Sequence, residues 1–119
     1  MITHPTTEEL ARSVALWIDQ IRPTLDPRNA FLARVAANAM ATIGRELTQG
    51  PAAEAQAVAR MSELLGHAGT HAELNTELCA RIRAGELTVE TSGLLAALQV
   101  MARDQIVIDQ PSYKPEGSL

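Results

Sequence analysis

The sequence predicts an all-α protein, a compact antiparallel bundle of four to five helices, and three observations carry that expectation. Apolar residues recur at helical spacing along most of the chain. Glycine and proline punctuate it about once per helix. No stretch longer than four residues alternates as a half-buried strand does. At 119 residues the chain is expected to form a single helical domain over residues 1–110, with a flexible C-terminal tail over 111–119. Apolar residues make up 46% of it, but twenty residues are alanine and only Trp17, Phe31 and Tyr113 are aromatic. Alanine buries little area, although it lets helices approach closely at no cost in side-chain entropy. So thin a core suits a chain that gains stability by packing on another copy or on another protein.

The first helix is expected to open at "PTTEEL", where Thr6 and Glu9 have the capping-box spacing. Leu10, Val14, Trp17 and Ile21 then follow at steps of four, three and four as one apolar stripe, widened by Ile18 and closed by Pro23. The second opens at "LDPRNAF". Asp26 serves as its cap and Pro27 suits the first helical position, where a missing N–H costs nothing. Its apolar face is read as Phe31, Val35, Ala39 and Ile43, with Leu32, Ala36, Met40 and Leu47 beside them, and Gly50 is expected to stop it in a left-handed conformation. A short third helix starts at Pro51 and ends at Gly66. Thr70 and Glu73 repeat the capping-box spacing for a fourth helix, which carries Leu74, Leu78 and Ile82 and ends at Gly85. "ELTVETSG" reads as a turn. The last helix is expected from about Glu90 to Ile108, with Leu94, Leu95, Leu98, Met101 and Ala102 on a broad apolar face, and Pro111 forbids its continuation.

The net charge of −4, with no basic run, argues against nucleic acid and against anionic membrane surfaces, both of which need concentrated positive charge. A single cysteine, Cys79, excludes an internal disulfide and suits a reducing compartment. The N-terminus lacks the pattern of a secretory signal and no apolar stretch is long enough to span a bilayer. The expected location is cytoplasmic.

Catalytic patterns do not emerge. "GRELTQGP" lacks the Lys-Ser/Thr of a phosphate loop, and Ser92 has no histidine near it in sequence. His67 and His71 have metal-ligand spacing for a helix, but Gly69 and the cap at Thr70 fall between them, so they read as exposed linker residues. Cys79 reads as a small buried hydrophobe. Glu8 and Glu9 form an acidic first turn. The expectation is therefore no catalytic, cofactor-binding or metal-binding residue in this chain. What stands out is "RVAANAMATIGREL", in which Arg34, Asn38 and Arg45 form one polar line beside an apolar face, with Glu46 next to it. Asparagine is a poor helix former and arginine suits planar, bidentate contacts. The line is either a solvated face or a contact surface for a partner.

Several blocks together carry a resemblance: "HPTTEELARSV"; "FLARVAANAMATIGREL" followed closely by "GP"; "LLG" and then "LNTELCARIRAGEL"; and "IVIDQPSY". From about His4 to Tyr113 the chain resembles a family of small bacterial proteins classed as a domain of unknown function. Its members are typically encoded beside an aminoglycoside-phosphotransferase-like kinase and an acyl-CoA dehydrogenase, and one related protein works with such a kinase in levulinate catabolism. The resemblance implies an accessory, non-catalytic role beside a 4-hydroxyacyl-CoA kinase that would itself hold ATP and Mg²⁺. Its blocks nominate, as candidate partner-interface residues, Arg34, Asn38, Arg45 and Glu46, then Asn75, Arg81 and Arg83, and finally Asp109 and Tyr113. Two alternatives stay open: a free-standing helical homodimer, and a small acyl-CoA-binding protein.

Overall fold

The computed structural model describes residues 3–114. All regular structure among them is helical: α1 (Thr7–Ile21), a 3₁₀ turn (Arg22–Thr24), α2 (Pro27–Leu65), α3 (His71–Arg83) and α4 (Leu94–Asp109). The expected tail is covered only to residue 114; its last five residues lie outside the described ones. No helix among the described residues is long and apolar enough to cross a membrane.

The helix starts follow the local chemistry closely. Thr6 accepts a hydrogen bond from the Glu9 amide at 3.1 Å. Thr70 accepts from the Glu73 amide at 3.2 Å while the Glu73 carboxylate accepts from the Thr70 amide at 3.1 Å, a complete reciprocal cap. Asp26 accepts from the Asn29 amide and side chain, at 3.3 and 2.6 Å. Gly66 and Gly85 take the left-handed conformation after α2 and α3, with φ of 80° and 79°.

Two boundaries differ from expectation. Gly50 does not stop a helix: α2 runs unbroken for 39 residues with Pro51 inside it. Proline removes one amide donor and crowds the preceding turn, yet the helix continues through it into the good helix formers Ala52, Ala53 and Ala55. Gly50 leaves room there for the Glu46 carboxylate, whose Oε1 would stand 2.7 Å from any added Cβ. The expected second and third helices are thus one. At the other end, α4 begins at Leu94, not near Glu90. The Thr88 amide donates to the Thr91 hydroxyl at 2.9 Å, and the Glu90 amide to the Thr88 hydroxyl at 3.2 Å. These local bonds satisfy the backbone in a turn, and Gly93 at φ 83° leads into the helix.

The chain divides between Gly50 and Pro51 into two compact units, α2 contributing residues to both. The C-terminal unit holds a continuous core: Ala57, Met61 and Leu65 from α2, Leu74 and Leu78 from α3, Leu87 from the following turn, and Leu94 from α4. Met61 and Leu74 are completely buried. The N-terminal unit is built differently. Its fully buried residues are Ala11 on α1 and Ala37, Gly44 and Gly50 on α2, with Ala15, Ile18, Ala33 and Ala41 half-buried beside them. Small residues at steps of three and four let two helices approach closely but remove little apolar area from water.

Candidate functional site: two faces of the N-terminal unit

The stripes expected to form the N-terminal core do not. Leu10, Val14 and Trp17 on α1, and Phe31, Leu32, Val35, Ile43 and Leu47 on α2, are between 42% and 66% exposed. Ala39 is exposed as well. The buried positions are instead the alanines and glycines about a quarter-turn away, Ala11 on α1 and Ala37 and Gly44 on α2. Isolated exposed leucines are ordinary on any protein. With Leu16 on α1, nine large apolar side chains are exposed on this helix pair, more than isolated surface residues explain.

That surface has two parts of different chemistry. On α2, Phe31, Arg34, Val35 and Asn38 follow at steps of three, one and three, and Arg45 continues the same arc two turns on. Phe31, at 66%, is the most exposed aromatic residue, and it shares a shallow cleft of about 600 Å³ with Arg22, Pro23, Leu25 and Arg34. Arg22 reaches Asp19 at 3.8 Å, whereas Arg34 makes no ion pair with any described residue. The Arg45 guanidinium donates to the Thr42 hydroxyl at 3.1 Å, which orients it along the helix. An aromatic ring flanked by guanidinium groups is the chemistry that dominates binding energy at protein interfaces.

The second part lies on the other side of α2 and continues on α1. Leu32, Ala36, Ala39, Ile43 and Leu47 recur at steps of four, three, four and four, and Leu10, Val14, Trp17 and Ile21 at four, three and four. Neither line contains a charged residue. Such spacing is that of helices packed in a bundle.

The remaining nominated residues sit elsewhere. Glu46 is exposed beside Gly50. In the C-terminal unit, Arg81 is held by Glu77 at 3.1 Å and Glu86 at 3.9 Å, so its charge serves a local network. His67, on the linker before α3, joins that network through Glu77 at 2.9 Å; sequence spacing gave no sign of this contact ten residues away. Asn75 and Arg83 are exposed on α3. Asp109 accepts from Gln105 at 3.1 Å, and the Tyr113 side chain is exposed. Cys79 is a free, half-buried thiol. The structure therefore brings Arg34, Asn38 and Arg45 onto one surface and leaves the other nominated residues separate. Sequence reasoning missed Phe31, Trp17 and their neighbours because an apolar stripe looks the same whether it faces a core or a partner.

The C-terminal unit also has a cleft of about 540 Å³, with Leu64, Ala97 and Val100 as apolar lining and Arg60, Glu63, Thr91 and Ser92 as polar lining. Arginine and carboxylate line it together, so it has no single charge preference.

Fold and surface thus describe a small helical protein whose N-terminal helix pair presents apolar and arginine-bearing faces. Its residues 23–113 match the family model of a domain of unknown function, DUF6285, and the chain belongs to that family. The match begins just after α1. No curated protein and no solved structure matches the chain.

Proposed function

We propose that the chain is a non-catalytic accessory subunit that docks on, and supports, a kinase of the aminoglycoside-phosphotransferase type acting on a hydroxyacyl-CoA. The single observation that carries this reading is the Phe31–Arg34–Val35–Asn38 strip: an exposed aromatic ring beside an exposed guanidinium that makes no ion pair among the described residues. The kinase as the partner rests on the family resemblance, and in this reading ATP and Mg²⁺ belong to the kinase. In this reading the two helices of the N-terminal unit run antiparallel, an arrangement supported by a connection over residues 22–26 that is shorter than the roughly 22 Å length of α1. Asn38 then answers a partner's backbone or carboxylate across the interface.

The test is co-purification of the chain with an aminoglycoside-phosphotransferase-like kinase of the kind the resemblance implies, together with kinase activity in its presence and absence. Phe31→Ala or Arg34→Glu is expected to weaken the complex by about 1–3 kcal/mol while leaving helicity unchanged. Full activity of the kinase alone, or unchanged binding by both variants, would sink the reading.

A further inference from the structure

We propose that the uncharged apolar face of the N-terminal unit is an interface between two copies of this chain, joined by a two-fold axis into a four-helix arrangement. This goes beyond kinase docking, which uses a different arc of α2. With α1 and α2 antiparallel, the Leu10–Val14–Trp17–Ile21 line and the Leu32–Ala36–Ala39–Ile43–Leu47 line fall on the same side of the helix pair. Each half of a four-helix bundle needs this: two neighbouring lines at bundle spacing with nothing yet packed on them.

Three features favour a second copy as the occupant. The first is area. Leu10, Val14, Trp17, Leu32, Ile43 and Leu47 are 42–58% exposed, and together they leave on the order of 400 Å² of apolar surface in water. A standard interface buries about 800 Å² per partner, roughly two-thirds of it apolar in homodimers, so these six side chains supply most of what a dimer needs. The second is charge. The chain carries −4 overall, and two copies repel unless they meet on a neutral surface; this face is one. The third is shape. On α2 the line has alanines at its middle, Ala36 and Ala39, between large residues at both ends, while the α1 line has its bulkiest residue, Trp17, between Val14 and Ile21. A two-fold axis sets the indole of each copy over the alanine hollow of the other, the reciprocal contact an isologous interface requires.

Sedimentation velocity of the full chain tests this, from about 1 to 100 µM, the range that resolves a micromolar dissociation constant. A dimer is expected, and Ile43→Lys and Leu10→Glu are each expected to weaken it at least tenfold with the far-ultraviolet circular dichroism of the wild type retained. Trp17 is the only tryptophan, so its emission should shift to the red as the wild type is diluted and stay red-shifted in Ile43→Lys. A wild type that is monomeric throughout overturns the proposal. So does a dimer that survives both substitutions, or a face whose substitutions abolish kinase binding by an otherwise monomeric chain. Should one variant fail to fold, the other and the wild-type dilution series still decide the matter. Loss of kinase binding in Phe31→Ala alone leaves this interface untouched, so the two readings fail separately.

Discussion

Both ring nitrogens of His67 face acceptors: Nδ1 lies 3.0 Å from the Ala68 carbonyl and Nε2 2.9 Å from the Glu77 carboxylate. Only the imidazolium can donate at both positions. The Ala68 carbonyl first, and Glu77 second, therefore hold the His67 pKa above its ordinary 6.5, with Arg81 opposing weakly. A folded-state pKa above the unfolded one contributes stability that is complete below about 6.5 and is lost as pH rises through the folded value. The thermal midpoint is expected to fall as pH rises from about 6.5, and His67→Ala should remove that part of the slope; melts of the variant with an unchanged slope would refute the assignment. Glu73 shows the opposite sign. Its hydrogen bonds to the Thr70 backbone and then the Thr70 side chain lower its pKa, so its contribution is present above about 4.5 and is lost in acid. The Glu73 cap was legible in the sequence because a capping box spans three residues. The His67–Glu77 contact was not, because it joins residues ten apart across a helix start.

Helix α2 shows how far an element can depart from its own punctuation. Gly50–Pro51 has the local signature of a helix end, and the structure passes straight through it. Thr48 bonds back to the Gly44 and Arg45 carbonyls at 3.2 Å, and Thr42 to the Asn38 carbonyl at 2.9 Å, so side chains satisfy carbonyls in the turns before the proline. Pro51→Ala restores an amide donor in the helix interior and is expected to raise stability by about 1–3 kcal/mol in chemical denaturation. A loss of stability would mean that the proline is needed where the two units divide. The last helix shows the reverse case. "TVETSG" contains no strong breaker before Gly93, yet threonine hydroxyls hold residues 88–91 as a turn and delay α4 to Leu94. Propensity located the helical segments but divided α2 in two, and competing side-chain bonds set the start of α4.

For the molecule as a whole, the large buried side chains lie in the C-terminal unit, while most of the large exposed ones lie in the N-terminal unit. Truncating Met61 or Leu74 to alanine in the C-terminal core should cost about 2–5 kcal/mol, since both are wholly buried. Phe31→Ala should change the stability of the isolated chain by no more than about 0.5 kcal/mol, since its ring is mostly in water. Urea unfolding of the three variants checks the contrast; equal losses would place Phe31 in a core. The sequence by itself determined the all-helical class, the caps at Thr6, Asp26 and Thr70, and Leu74, Leu78 and Leu94 of the C-terminal core, because these follow from contacts within a turn or from strong periodicity. It also marked Arg34, Asn38 and Arg45 as one line. Only the tertiary structure decided that Ala11, Ala37 and Gly44 are the buried positions of the N-terminal helices and that Leu10, Trp17, Phe31 and Ile43 face outward. Periodicity reports that a helix has an apolar face; which neighbour covers that face depends on how closely two backbones can approach, and here the small residues won that position.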